Sequence, residues 1–425
     1  MRTTALVVLA VALATGCSSS NNNSGGGGPL HDAAADGSGD AAVEAATDAG
    51  SDAAEAGDAG DAGDAGGCHR TPGPADGVRK VVVSHPFDAS GNKANTYEVL
   101  ELSASGELSQ PGATFQLGRS SLGEIAFTPD GKVGLVAEEN GKLGVFRFDA
   151  SGAPQVVDAA FDGGFYAGSV VVGPGGDVAY VLDDEWRSNG GGIYAVPLGC
   201  DGTPGTPHLV AAAKLPAGLA FLPGDPSRAL LASKDVLSVP EGNGAHLLSW
   251  GDPPSVLGSA APFPDTGAIV SSAVVTHDAK FALIGDNDIT SSPNRIGVVG
   301  LAPMAAVQVL SPVEDPLDFA VSPYDNAALV VSGFGNAIFK LAYDPSNGAK
   351  PFSLGTEITY QGGKPQLPGY AVSIDRGALT GLVLVAENTS VRRVRFEKDG
   401  SISDLGAFSV GSGTTADVGA IGVQP

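Results

Sequence analysis

Short apolar runs separated by turn residues recur from Arg79 to the end of the chain. Each repeat contains an apolar strand, a turn rich in Pro, Asp and Gly, and a second apolar strand. The six complete copies are Glu124–Glu138, Ser169–Asp184, Gly218–Ser233, Ser272–Asp286, Asp318–Ser332 and Tyr370–Glu387. A third strand such as LGVFRFD or GIYAVPL and a weaker fourth strand follow each copy. Because turn-forming residues stand where hairpins require them, the pattern predicts repeated four-stranded antiparallel units.

A seventh unit is divided between the two ends of this region. RKVVVSHP (Arg79–Pro86) matches the second strand of a unit, and GAIGVQP (Gly419–Pro425) matches the first. We therefore expect the last strand to pair with the strand near Arg79 and to close a ring. The 347 residues from 79 to 425 give about 50 residues for each of seven units, as in propeller blades. The prediction is an all-β fold, a single seven-bladed β-propeller over residues 79–425.

The turns and strand ends resemble those of a known group of propellers. The turns are TPDGK, SPYDN and THDAK, and the strand ends are LVAEEN and LVAEN. In these segments the chain resembles the seven-bladed propellers of the lactonase-like and YVTN-repeat group. That resemblance covers nearly the whole repeated region, and the group includes enzymes, binding modules and surface-layer proteins. It therefore indicates the architecture more strongly than the activity.

The N-terminus has the pattern of an export signal. Arg2 precedes the apolar run Ala5–Ala14, which is too short to cross a bilayer. The following LATGC (Leu13–Cys17) resembles a bacterial lipobox, which implies cleavage after residue 16 and lipid on Cys17. Ser18 after the cysteine favours, by the same resemblance, the outer membrane over the inner one. The alternative is a plain secretory signal followed by a free cysteine.

Acidic, low-complexity sequence follows the signal. Residues 18–67 contain eight Asp and two Glu without Lys or Arg, in repeats such as GDAGDAGDAGG. Such a segment has almost nothing to bury, so we expect residues 17–78 to form a disordered linker between lipid and propeller. The formal charge of the whole chain is -24, which argues against a nucleic-acid partner.

Two cysteines remain besides Cys17, namely Cys68 and Cys200. Export would place them in an oxidising compartment, where an even pair favours a disulfide. Cys200 lies in the turn PLGCDGTPG between a third and a fourth strand, on the side of the ring where the strand at Arg79 starts. We expect a bridge between the two, the alternative being two unpaired thiols.

Candidate chemistry lies on the face that carries the loops between second and third strands. The resemblance to lactonases implies His, Arg and Glu in the central cleft, for which the candidates are His85, Arg187, Glu138 and Glu387. A hard cation such as Ca²⁺ would take oxygen ligands, for which the candidates are Asp183, Asp286 and Asp288. The alternative for all of these residues is an ordinary structural role, since acidic residues commonly end strands in an acidic protein. We expect that the protein binds no cofactor.

The long loops of this face suggest recognition. Trp186 offers a large apolar surface and Arg187 a planar cation, and Asp286 and Arg295 flank another long loop. We therefore expect a monomeric envelope protein, attached to the membrane through Cys17, whose propeller binds a protein or a glycan at these residues. The alternative function is a lactonase-type enzyme, which hydrolyses or forms a lactone in the central cleft.

Overall fold

The computed structural model divides the chain into two units, Met1–Gly66 and Gly67–Pro425. The structure describes residues 70–88, 90–119, 123–139, 141–162, 167–183, 191–213, 215–233, 244–263, 270–286, 294–311, 313–411, 415–416 and 418–425. The predicted signal peptide, Cys17, Cys68 and the acidic repeats lie outside these residues. No helix in the described part is long and apolar enough to span a membrane.

Antiparallel sheets form seven blades, and the strand bounds are as follows. Blade 1 contains β1 (Arg79–Asp88), β2 (Lys93–Leu102) and β3 (Leu108–Gln116), with β28 (Thr415–Ala416) and β29 (Ile421–Val423) on the inner side. Blade 2 contains β4 (Ala126–Phe127), β5 (Val133–Glu138), β6 (Lys142–Phe148) and β7 (Pro154–Asp162). Blade 3 contains β8 (Ala167–Val172), β9 (Val178–Asp183), β10 (Gly192–Pro197) and β11 (His208–Ala212). Blade 4 contains β12 (Pro216–Leu222), β13 (Asp225–Ser233), β14 (Gly244–Ser249) and β15 (Ser255–Ala260). Blade 5 contains β16 (Val270–Val275), β17 (Phe281–Asp286), β18 (Arg295–Leu301) and β19 (Met304–Leu310). Blade 6 contains β20 (Pro316–Val321), β21 (Ala327–Ser332), β22 (Ala337–Tyr343) and β23 (Phe352–Glu357). Blade 7 contains β24 (Ala371–Ile374), β25 (Leu382–Glu387), β26 (Ser390–Phe396) and β27 (Ile402–Ser409), and a 3-10 turn, Gly377–Leu379, follows β24.

The blades form a closed ring around a central channel. The first strands contact one another in the order β29, β4, β8, β12, β16, β20, β24 and again β29. Seven apolar clusters fill the seams between neighbouring blades. One of them contains Phe281 of blade 5 and Phe319 of blade 6. The second strands β5, β17, β21 and β25 are buried throughout because neighbouring blades cover both of their faces. This burial explains why they appear in the sequence as continuous apolar runs.

The outer strands follow a different pattern. The fourth strand of blade 4, β15, is exposed over much of its length. In every blade the register shifts between the third and fourth strands. Such a bulge bends the outer strand and makes its open edge a poorer template for pairing with another chain.

The terminal strand closes the ring as the divided repeat predicts. β29 pairs with β1 through Val81 and Val423, Val82 and Gly422, and Val83 and Ile421. It also reaches blade 2, where the amide of Ile125 donates to the carbonyl of Ile421 over 2.8 Å. A Cβ at position 422 would overlap the backbone of Ile125, so only glycine fits between the two blades.

Turns between first and second strands define what we call the bottom face, and loops between second and third strands define the top face. A hydroxyl and an aspartate organise the bottom turn of blade 2, where Thr128 Oγ1 donates to Asp130 Oδ1 over 2.7 Å. Thr276 and Asp278 repeat the same bond in blade 5 over 2.7 Å. The two turns share this geometry because Thr and Asp side chains form local hydrogen bonds in turns.

Nine residues before β1, Arg70–Val78, run along the bottom face. Buried Arg70 donates to the carbonyls of Gly176 and Gly199 in blade 3 over 2.8 and 2.6 Å. At the other end, Ala378 of blade 7 donates its amide to Asp76 over 2.8 Å. The packed chain therefore begins at least nine residues before the predicted domain start at Arg79.

Candidate functional site

The second strands of all seven blades carry a polar residue at one equivalent position of the top face, which is the last residue of the strand in every blade except blade 1. Pairing with the first strands aligns these residues, and each is buried: His85, Glu138, Asp183, Ser233, Asp286, Ser332 and Glu387. The set contains five of the residues proposed from the sequence as catalytic or metal-binding. Because a buried charge is costly unless it is paired, the partners of each side chain decide what it can do.

His85 forms a buried pair with Glu98 of β2. The distance from His85 Nε2 to Glu98 Oε2 is 2.9 Å, and the amide of Gly411 also donates to Oε2 over 3.0 Å. Burial alone would raise the pKa of Glu98, but its bonds to His85, Gly411 and Gln110 hold it below the usual range. The second ring nitrogen of His85, Nδ1, is buried without a hydrogen-bond partner. The pair lies in the seam between blades 1 and 7, because Val81 and Leu100 on the same sheet face pack there.

Glu138 holds the connection between blades 1 and 2. Its Oε1 accepts the amide of Gly118 over 2.8 Å. A Cβ at Gly118 or at Gly144 would overlap the Glu138 carboxylate, so both glycines make room for it. The side chain is 1% exposed. Glu138 therefore holds in place the segment around Gly118 that leads from blade 1 into blade 2.

Asp286 is paired with Arg295 across the long loop of blade 5. Arg295 donates from Nε and Nη2 to Asp286 Oδ2 over 3.0 and 2.7 Å. The guanidinium lies 5.1 Å above the ring centre of Phe263, which adds a cation–π contact. The two residues predicted to bind ligand thus clamp the base of the loop that they flank.

Glu387 belongs to a buried cluster in blade 7. Arg392 donates to Glu387 and, over 2.7 Å, to Asp404, and it also donates to the carbonyl of Gly363 over 2.9 Å. The Arg392 and Glu387 side chains are 2% and 4% exposed. Because Arg392 also lies 5.2 Å from the ring centre of Tyr360, the cluster fixes the long connection between blades 6 and 7.

These candidates do not converge on a common point. Within the described residues, no group of three or more His, Cys, Asp or Glu side chains could hold a metal ion. Asp183 is buried at the equivalent position of blade 3. Trp186, Arg187 and Asp288 lie outside the described residues, so recognition at Trp186 and a cation at Asp288 stay predictions.

Cys200 forms a disulfide. It lies between β10 and β11 of blade 3, on the bottom face. Its partner is outside the described residues, and the chain has three cysteines. The pairing with Cys68 therefore stays a prediction.

A different pair of carboxyls lies in the channel. Glu124 lies two residues before the start of β4, and Asp318 occupies the equivalent position in β20. The charge of Asp318 raises the pKa of Glu124, and blades 2 and 6 are not neighbours in the ring. Their interaction therefore crosses the central channel. Asp318 is held in place by the amide of Ala371 in blade 7, which donates to Oδ2 over 2.9 Å.

Both channel carboxyls have raised pKa values. Burial, and then repulsion by Asp318, raises the pKa of Glu124 to about 7. Burial also raises the pKa of Asp318 to about 7, although two backbone amides oppose the shift. The Glu124 side chain is nonetheless exposed and Asp318 is half-buried, so solvent reaches both carboxyls. Each carboxyl can therefore gain or lose its proton near neutral pH.

Sequence reasoning missed this pair because it searched the loops. The signal was an acidic residue inside an apolar first strand, in GEIAF and in LDFAV. The equivalent residues of blades 3, 4 and 5 are Ser169, Gly218 and Ser272, which are small and uncharged.

Comparison with known proteins supports the fold. No family model and no curated protein matches the chain. A solved structure from Bacteroides fragilis, provisionally named a 6-phosphogluconolactonase, aligns with a TM-score of 0.59 at 12% identity. That alignment covers 83% of this chain and 99% of the other. The periplasmic gluconolactonase of Pseudomonas aeruginosa aligns with a TM-score of 0.57 at 15% identity, over 80% of this chain and 98% of the other. At this identity the likeness shows that the chain has the seven-bladed propeller fold of lactonase-like proteins.

Proposed function

We propose that the protein is an envelope lipoprotein whose propeller hydrolyses a small lactone in its central channel. The observation that carries the proposal is the pair Glu124 and Asp318, two carboxyls that interact across the channel and titrate near neutral pH. Solved propellers with lactonase names share the fold, which is why a lactone is the first substrate class to test. Anchoring through Cys17 and export to the outer membrane are parts of the same proposal.

The chemistry needs one acid and one base. In the ionised member of the pair, a carboxylate would remove a proton from the attacking water as it adds to the lactone carbonyl. The protonated member would donate its proton to the ring oxygen as the carbon–oxygen bond breaks. The single product is the hydroxy acid, whose hydroxyl contains the former ring oxygen. The two carboxyls have then exchanged protonation states, and proton exchange with channel water restores the pair. Acid–base groups work best when their pKa values lie near the working pH.

The buried clusters at the strand ends support this assignment indirectly. Glu138, Asp286 and Glu387 use their carboxylates to hold loops, as their partners show. Glu124 and Asp318 instead face water in the channel. A binding role for a protein or glycan at Trp186 stays the alternative.

The test is hydrolysis of glucono-1,5-lactone above the spontaneous rate by the mature full-length protein. We expect a bell-shaped pH dependence with its maximum near pH 7, since activity needs one protonated and one ionised carboxyl. Glu124→Gln and Asp318→Asn should each lower kcat by about a hundredfold or more. Glu397→Gln, the same kind of change in an outer turn of blade 7, should keep the wild-type rate. Wild-type activity that survives both channel substitutions would exclude the pair as acid and base.

A further inference from the structure

The charge of the channel restricts which lactone can reach the carboxyl pair. Glu124 and Asp318 lie at equivalent positions of blades 2 and 6 and place two ionisable carboxyls in the channel. Asp318 is fixed by the Ala371 amide, so it cannot swing away from an incoming group. An anionic substituent that enters the ring between blades 2 and 6 would meet both carboxyls inside the protein. Repulsion is stronger in such surroundings than at an open surface.

Three arginines in the described part of the top face already pair with carboxylates. Arg295 pairs with Asp286, and Arg392 pairs with both Glu387 and Asp404. Arg119, just after β3, pairs with Glu139. These three cations therefore contact four carboxylates. To bind a phosphate, an arginine of this set would have to leave a carboxylate, and for Arg392 that carboxylate is buried.

The whole chain works in the same direction. Its formal charge of -24 lowers the local concentration of anions near the surface. The long-range field and the channel pair thus both disfavour a phosphorylated substrate.

We infer that the channel takes an uncharged sugar lactone and discriminates against the phosphorylated form. This inference rests on the proposed function, because it names the substrate of the same site. A neutral polyhydroxylated ring could donate hydrogen bonds to the Glu124 and Asp318 carboxylates, whereas a phosphate would be repelled by them.

The experiment compares glucono-1,5-lactone with 6-phosphoglucono-1,5-lactone on the mature full-length protein at pH 7. We expect kcat/KM to be at least tenfold higher for the uncharged lactone, which corresponds to about 1.4 kcal/mol. In parallel, the affinities of sorbitol and sorbitol 6-phosphate are measured by calorimetry on wild type, Glu124→Gln and Glu397→Gln. Sorbitol 6-phosphate should bind to wild type more weakly than sorbitol does. Of the two variants, only Glu124→Gln should reduce this difference in affinity.

The outcomes separate the two proposals. Equal or faster hydrolysis of the phosphorylated lactone would overturn the inference and leave the hydrolase function standing. If neither lactone is hydrolysed but sorbitol binds better than its phosphate, hydrolysis is wrong and the preference for an uncharged sugar stands. If neither lactone is hydrolysed and neither polyol binds, both proposals are wrong.

Discussion

Replacing Asp318 with Asn should stabilise the protein at alkaline pH. The pKa of Asp318 is raised from 3.8 to about 7, chiefly by burial, so the folded state binds its proton more tightly than the unfolded state. The stability contributed by this proton is complete below pH 4 and is lost as pH rises to about 7. Asn cannot ionise, and its side-chain oxygen can still accept the amide of Ala371. The variant should therefore keep its stability as the pH rises to about 7.

The size of the effect follows from the pKa shift. A change of about 3 units corresponds to about 4 kcal/mol as an upper limit. Channel water and the Ala371 hydrogen bond reduce the energy of the ionised form. We therefore expect the free energy of unfolding of Asp318→Asn, relative to wild type, to rise by about 2 kcal/mol between pH 5 and pH 8.

The assay is urea denaturation of wild type and variant at both pH values, followed by circular dichroism. Asp130→Asn is the control, because the Thr128 hydroxyl, the Lys132 amide and Arg70 outweigh burial and lower the pKa of Asp130. Its contribution is lost only at pH values below 4, so that variant should lose the same stability at pH 5 and pH 8. A stability change in Asp318→Asn that is equal at the two pH values would refute the reasoning.

Three further predictions concern closure, anchoring and recognition. Deleting residues 417–425 removes buried Ile421 and Val423 and opens the ring, so we expect a loss of about 5 kcal/mol and aggregation; an unchanged melting temperature would contradict the shared blade. Cys17→Ser should move the protein from the detergent phase to the aqueous phase, and a wild-type N-terminal peptide without lipid mass would contradict lipidation. Trp fluorescence of the wild-type protein should respond to a protein or glycan ligand. The double variant Trp186→Ala, Arg187→Ala should weaken binding of that ligand more than tenfold, or about 1.4 kcal/mol, measured by calorimetry; equal affinity would exclude that loop as the site.

The blades could be predicted because the information is local. Each turn carries its own hydrogen-bonding residues, as Thr128 and Asp130 show, and each second strand is a continuous apolar run. Closure by β29 was also predictable, since a missing first strand at one end matched an extra one at the other. These features depend on patterns of a few residues and on a count of repeats.

The partners at the site could not be predicted in this way. His85, Gln110 and Gly411 meet around Glu98 from three parts of the chain, and no local pattern links them. The Arg70–Val78 segment presents the same difficulty, because its contacts in blades 3 and 7 exist only once the ring is closed. Contacts between distant segments follow from the fold, and not from the spacing of residues.

The two kinds of acidic residue in this protein can nevertheless be told apart by their neighbours in sequence. Asp286 and Glu387 end second strands, and a basic partner follows each in the next strand, at Arg295 and Arg392. Such a pair can neutralise itself during folding and then hold the loop between its members. Glu124 lies just before an apolar first strand, and the charge that raises its pKa across the ring is that of another carboxyl, Asp318. An ionised pair of that kind costs stability, as the raised pKa values show, and stability given up at a channel is the physical reason to look for function there.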